Sequence, residues 1–233
     1  MSSGFSGFRP EAIDFLVSLA LNNDRSWFQP RKGDYERLLK QPLEQLCAAV
    51  GEAFTTRGVP LTADPARSPF RIYRDVRFSK DKSPYKTNVG ASFPWTGEGR
   101  GVGGYFHLQP GETFVGGGMW HPAPARLAAW RSAVTGDRTG VHAVVDDPAF
   151  RAEFGSVSGD SLKRAPAGFA ADDPDLELLK LKDVTFGRRL SDTELLSPDL
   201  PTLIAGSLSH ATGLLRLLAG LPGEEEPAGW LRE

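Results

Sequence analysis

The sequence contains one cysteine, Cys47, in 233 residues, which excludes an internal disulfide and any thiolate-rich zinc site within one chain. Charge of one sign is not in excess either. The 27 basic residues stand against 29 acidic ones, a formal net charge of −2, so no global field draws the molecule toward nucleic acid or an anionic membrane. Long apolar runs are missing: no stretch approaches the roughly 20 residues that cross a bilayer. The opening MSSGFSGFRP has neither the basic start nor the apolar run of a secretory signal, and the cytoplasm is the expected location. No internal repeat or low-complexity tract appears, which leaves solenoid and scaffold readings without support.

What is present is the mixture of an ordinary folded protein, 40% hydrophobic and 24% charged. That is too apolar for wholesale disorder. The length suits one substantial core, and we expect a single α+β domain over residues 8–220, with 221–233 a frayed tail. In the amino-terminal quarter Ile13, Leu16, Val17 and Ala20 recur at helical spacing behind Pro10, until Asn22 and Asn23 end the pattern. Asp24 is placed to cap a short turn carrying Trp27 and Phe28, and Asp34 to cap a longer helix running to Gly58. Pro42 inside that helix predicts a kink, or two helices meeting near Gln41. Cys47 falls in its apolar stripe and reads as a small core residue.

The period then changes. Phe70 to Phe78, Asn88 to Trp95, Gly103 to Gln109 and Thr113 to Gly118 are short aromatic and β-branched runs punctuated by glycine and proline, which predicts an antiparallel meander. Helical spacing returns after Pro124. Short helices are expected near Val141, over Pro148 to Phe154 and over Pro174 to Lys180, then a last one over Leu200 to Leu218, with a further strand at Asp183 to Arg189. Helices on both sides of an antiparallel central sheet place the chain in the α+β class.

Several reactions lack their residues. His107, His121, His142 and His210 show no metal-binding spacing, and His210 reads as a core or boundary residue of an apolar helix. The glycine runs at Gly97 to Gly104 and Gly116 to Gly118 match neither a phosphate loop nor a dinucleotide fingerprint, and there is no GxSxG. Asp75 and Asp81 near Lys82 make a poor magnesium scaffold. No cofactor and no metal are expected.

The unusual stretch is Phe70 to Asn88, FRIYRDVRFSKDKSPYKTN. Here Arg71, Arg74, Arg77, Lys80, Lys82 and Lys86 face only Asp75 and Asp81, an excess of four positive charges. On a strand, alternation puts Arg74 as the single charge on a face with Phe70, Ile72, Val76 and Phe78, where a guanidinium requires a carboxylate or an anionic ligand beside it. The loop that follows brings three lysines and Tyr85 together. The candidate anion-binding set is Arg74, Arg77, Lys80, Lys82, Tyr85, Lys86, Gly117 and Trp120. Gly117 belongs to it because glycines at a strand end permit close approach of a ligand or of a second backbone, and Lys163 and Arg164 are placed to complete a basic rim.

The run RIYRDVRFSKDKSPYKTN resembles the signature of a widespread family of uncharacterised bacterial and fungal proteins, a conserved domain of unknown function. NNDRSWF at Asn22 to Phe28, VGGGMWHP at Val115 to Pro122 and LKRAPAGF at Leu162 to Phe169 fit the same family in the same order. The resemblance implies a shared α+β fold and supplies no reaction or substrate. Two functional readings are therefore carried. One is a protein, with or without catalysis, that binds a small anionic ligand bearing a phosphate or carboxylate. The alternative uses the same basic loop on nucleic acid, with Tyr73, Tyr85 or Trp120 stacking on bases, or as a contact surface for another protein.

Overall fold

The computed structural model describes residues 4–77, 79–97, 99 and 101–223. Phe78, in the predicted first strand, and the tail 224–233 lie outside the described residues.

The chain opens on α1 (Pro10–Leu21), with Pro10 in the first turn where its missing N–H costs nothing. The buried stripe of α1 is Ala12, Phe15, Leu16 and Leu19, not the Ile13, Leu16, Val17 and Ala20 of the periodic pattern. The reason is aromatic packing: Phe15 meets Trp27, Phe28 and Tyr35, and this contact rotates the helix on its axis. Asp24 caps α2 (Arg25–Phe28) by accepting the Trp27 N–H. After α3 (Lys32–Tyr35), which Asp34 enters in its first turn without capping it, Glu36–Lys40 forms a π turn and leads directly into α4 (Gln41–Arg57). Proline cannot donate to the carbonyl four residues back, and Pro42 is accommodated by this local widening of the helix. Gly58, with φ +66°, closes α4 in the left-handed conformation that glycine adopts without penalty. Cys47 is fully buried, and burial pushes its thiol up to about 12.

Four strands form one antiparallel sheet in the order β1 (Val89–Pro94), β2 (Val102–Leu108), β3 (Phe114–Met119) and β4 (Val184–Arg189). Between β3 and β4 run α5 (Pro124–Gly136), α6 (Arg138–Val145), α7 (Pro148–Phe154) and α8 (Leu176–Lys180). After β4 come α9 (Asp192–Leu195), α10 (Leu200–His210) and α11 (Thr212–Ala219). The expected last helix is thus two, and His210 is exposed at the end of α10 instead of lying in the core. No helix of the described residues is long and apolar enough to cross a membrane.

Alternation along the strands separates two faces. Val89, Ala91 and Phe93 pair across with Leu108, Phe106 and Gly104, and then with Val115, Gly117, Met119, Val184 and Phe186. This face is covered by α4, α7, α10 and α11 and continues into the main core. The opposite face carries Gly90, Ser92, Gly103, Tyr105, His107, Phe114, Gly116, Gly118, Thr185 and Gly187. Five of those ten residues are glycine, so the face is low and open except where Tyr105, His107 and Phe114 stand on it.

The predicted strand Phe70 to Phe78 does not form. Only its start reaches the sheet: the Phe70 N–H donates to Gly90 O, the Ser92 N–H donates to Ser68 O, and Pro69 bridges Ala91. The chain then folds back as a narrow hairpin. Arg74 N–H donates to Pro84 O at 3.0 Å and Lys86 N–H to Ile72 O at 2.7 Å, around the Tyr73–Tyr85 bridge. Asp75 accepts the backbone N–H of Arg77, and Asp81 that of Ser83. Such local side-chain bonds compete with a strand ladder, and they win here because Pro84 interrupts the returning arm.

The hairpin is pinned from the amino-terminal helices. Asn23 Nδ2 donates to Tyr85 O at 2.9 Å, and Asn23 Oδ1 accepts the Tyr85 N–H at 3.1 Å. The Tyr85 ring stacks on Phe28 with centroids 4.0 Å apart. Replacing Asn23 with Ala leaves both backbone groups of Tyr85 without these partners, at an expected cost of about 1–3 kcal/mol. The measurement is amide hydrogen exchange: protection falls at Arg74 and Lys86, whereas the strand amides of β2 keep theirs.

Glycine is required at Gly117, where a Cβ would lie 2.3 Å from Gly103 O and 3.0 Å from Phe186. At Gly187 the nearest atom is 3.7 Å away. Gly117→Ala is therefore expected to destabilise by about 1–3 kcal/mol. Gly187→Ala stays within about 1 kcal/mol of the parent in a denaturant titration.

Candidate functional site

The low face of the sheet, the hairpin at the β1 edge and the segment around Ser158 at the β4 edge enclose a groove of about 1230 Å³. Ser158 holds the far wall by exchanging backbone bonds with Thr185, at 2.7 and 2.8 Å. Trp120 stands at one end, its ring stacked on His121 with centroids 4.1 Å apart. His121 has φ +48°, and the buried Asp183 carboxylate holds this strained backbone by accepting its N–H at 2.6 Å.

Tyr105 and His107 rise from the centre of the floor. They are two residues apart on β2 and so share a face. Tyr105 Oη lies 2.9 Å from His107 Nδ1, and His107 Nε2 lies 3.3 Å from Gln109 Oε1. The Gln109 amide donates in turn to Glu112 Oε2 at 3.4 Å. The imidazole stacks on Phe114 with centroids 4.9 Å apart. Burial depresses the His107 pKa below 6.5, so the ring is neutral at neutral pH. Gly90 makes room for the phenol: a Cβ there would lie 2.8 Å from Tyr105 Oη.

The residues expected from sequence divide into two groups. Arg74, Tyr85, Lys86, Gly117 and Trp120 line the groove, whereas Arg77, Lys80, Lys82, Lys163 and Arg164 do not. Arg77 is 77% exposed and paired with Asp75 through a two-nitrogen contact, which together with the Arg77 backbone N–H holds the Asp75 carboxyl at about 2. Lys82 donates to Val76 O at 2.9 Å, and Lys80 is exposed. Arg74 has a protein carboxylate as its partner: Nη1 bonds Asp81, whose own pKa is lowered by Ser83 and by this pair. Two of the six basic residues of this stretch, Arg74 and Arg77, are thus paired with its two acids. Tyr85 is 1% exposed and offers no face for a base to stack on.

The four histidines show no metal-binding spacing, so spacing alone does not single out His107. The Tyr-x-His alternation on a strand was the available signal, and register alone showed which face it occupies.

A second cavity, about 430 Å³, lies among α6, α7, α8 and the Ser156 to Ser161 segment. At its edge His142 Nδ1 meets Asp146 Oδ2 at 2.5 Å and Nε2 meets Asp175 Oδ1 at 2.8 Å. Arg138 bonds Asp175 and Asp173, and Arg151 bonds Asp146. Both ring nitrogens face acceptors, so the imidazolium satisfies both, and the hydrogen bonds from Asp146 and Asp175 raise the His142 pKa above 6.5. Burial pushes the Asp175 carboxyl up, but the bonds from His142 and Arg138 outweigh it and leave it below 3.8. No group of three or more His, Cys, Asp or Glu side chains arranged to hold a metal occurs among the described residues.

These features define an α+β protein whose antiparallel sheet is covered by helices on one face and carries a hairpin-walled groove on the other. The chain belongs to DUF2461, a family described as conserved hypothetical protein, which it matches over residues 11–216. No curated protein and no solved structure matches it.

The His142 cluster sets a pH dependence with a definite sign. A raised folded pKa means that its stabilisation is complete below the unfolded value of 6.5 and is lost as pH rises through the folded value. The thermal midpoint is therefore expected to fall as pH increases above 6.5. In His142→Gln, this slope flattens while the acid limb, governed by carboxylates such as Asp175, remains.

Proposed function

We propose that the protein binds a small molecule carrying a phosphate or carboxylate in the groove over the low face of the sheet. The observation that carries the reading is the joint placement of Arg74 and Lys86 on the wall of a cavity of about 1230 Å³. That volume accommodates a metabolite of nucleotide size. Arg74 gives only Nη1 to Asp81, and its Nε and Nη2 make no hydrogen bond among the described residues. A guanidinium has five N–H donors, so a ligand oxyanion is recognised by those that remain. Lys86 Nζ sits 5.3 Å over the Phe70 ring, at the same wall. Asn88, Ser158 and Thr185 supply neutral polar groups, and Phe70, Tyr105 and Trp120 supply ring faces for the rest of the ligand.

The hairpin's self-pairing alters the chemistry expected of the full basic run. Arg77, Lys80 and Lys82 point elsewhere, so the ligand meets two cations and not six. Two cations, on a wall that also carries Asp75 and Asp81 paired with Arg77 and Arg74, suit one anionic group better than a polyanion, whose binding would use a wide basic surface.

The test is thermal shift against inorganic phosphate, malonate, nucleoside monophosphates and a short single-stranded oligonucleotide. A ligand at about 100 times its Kd stabilises by about 2.7 kcal/mol, or roughly 5–10 °C for a chain of this size. The expected result is a shift from one small-anion class that Lys86→Glu abolishes and Arg77→Glu, outside the groove, leaves intact. Absence of any shift, or a shift indifferent to Lys86→Glu, overturns the reading. A shift with the oligonucleotide alone, steeply weakened by salt, replaces it with the nucleic-acid alternative.

A further inference from the structure

The two cations of the groove and its bare floor lie over different strands, and that separation bears on what else the anionic ligand carries. We propose that the ligand is a nucleoside monophosphate, with its phosphate at the hairpin wall beside Arg74 and Lys86 and its flat base on the floor of β2, β3 and β4 toward Trp120. The phosphate end rests on the binding reading above, and the base end on separate geometry.

Strand register lays the open face out in rows. Gly103 pairs with Gly118 and Gly118 with Thr185; two residues along the strands, Tyr105 pairs with Gly116 and Gly116 with Gly187. The next row is His107, Phe114 and Arg189. Between the side chains of Tyr105 and Phe114 and the Trp120 end, Gly103, Gly116, Gly118 and Gly187 thus leave a bare patch of about 10 by 7 Å, two strand spacings by one side-chain repeat. A planar ring packs on such a surface over its whole face, whereas a branched ligand touches it at few points. Sheet packing accounts for three of these glycines: a Cβ at Gly103, Gly116 or Gly118 would lie 2.5, 2.2 or 2.2 Å from a carbonyl oxygen of the neighbouring strand. It does not account for Gly187, whose nearest atoms, on Phe114 and Val115, are 3.7 Å away. Gly187 is exposed and lines the groove. Glycine weakens a strand, and β4 carries that cost where its packing has room for a side chain. The side chain missing there would stand on the groove floor.

The groups around the patch suit a heterocycle. Trp120 lines the groove just beyond β3, and its indole N–H makes no hydrogen bond among the described residues. Flat rings stack on tryptophan whatever the pattern of their edges. At the β4 edge, Ser158 and Thr185 each give their hydroxyl proton to the other's backbone carbonyl, at 3.4 and 3.0 Å, so the hydroxyl oxygens keep lone pairs for ring donors. The anion end is elsewhere. Arg74 and Lys86 belong to the hairpin, whose start at Phe70 bonds Gly90 of β1. From β1 to β3 is two strand spacings, about 10 Å. A ring over β3 therefore cannot carry its anion directly, as an aromatic carboxylate does, and a linker of sugar length has to separate them. Base, sugar and a single phosphate in line meet that spacing and the two cations.

Isothermal titration calorimetry with the four ribonucleoside 5′-monophosphates, ribose 5-phosphate and inorganic phosphate separates the two ends of the ligand. The expected result is that the tightest of the four monophosphates binds at least about tenfold more tightly than ribose 5-phosphate, which has the same phosphate and no base. Gly187→Val puts a branched side chain on the floor where the backbone has room for it, and Trp120→Leu removes the stacking face. Each is expected to cut the advantage of the base to about threefold or less and to leave the Kd of ribose 5-phosphate within about twofold of the parent value. Equal affinity for the monophosphates and ribose 5-phosphate overturns the base placement and leaves the anion reading standing. An advantage that survives both variants also overturns it, because the base then lies elsewhere. Absence of binding by every phosphate-bearing probe overturns this assignment together with the phosphate form of the anion reading. The comparison of ligands in the parent protein needs no variant, so it decides the matter even if a variant does not fold.

Discussion

The geometry of the groove depends on one side-chain amide. Asn23, in the link between α1 and α2, bonds both backbone groups of Tyr85, and Tyr85 stacks on Phe28. A hairpin stem closed by two backbone bonds has little cohesion of its own, since isolated two-stranded pairs are marginal in water. The amide and the ring stack couple it to the helical core. Arg74 and Lys86 lie on that stem, so the position of the two groove-lining cations is set by a residue 62 positions before Tyr85 in sequence.

The second constraint is the glycine content of β2 and β3. Gly104 lets Leu208 of α10 and Leu61 press against the covered face, where a Cβ would lie 2.7 and 3.2 Å from them. Gly117 and Gly103 sit where a Cβ would run into the neighbouring strand's backbone, at 2.3 and 2.5 Å. The glycines expected to permit ligand approach therefore act first on the packing of the sheet with itself and with α10. Their effect on the groove is indirect: a floor without side chains leaves Tyr105 and His107 as its principal projections.

Electrostatics in the hairpin and in the His142 cluster follow one logic with different results. In both, acids and bases close in sequence satisfy one another. In the hairpin the pairs are partly solvated, and they fix the shape of the turn more than they add stability. Around His142 the Asp175 carboxylate is 6% exposed and ties α6 to the turn before α8, so a titratable group sits at a junction between elements.

Much of the architecture was legible in local pattern. Pro10, Asp24, Pro42 and Gly58 marked helix starts, a distortion and an end because each acts through its own backbone. The strands Val89–Pro94, Val102–Leu108, Phe114–Met119 and Val184–Arg189 were legible because alternation and turn residues are short-range signals. By itself, the sequence determined the α+β class and the concentration of basic residues at Phe70 to Asn88. The tertiary structure alone decided that this stretch is a hairpin and not a strand, because Asn23 had to reach both backbone groups of Tyr85. It also decided which cations face the groove, and that Tyr105 and His107 meet on its floor. Those facts depend on register between strands and on packing between distant segments, neither of which is written in any window of the chain.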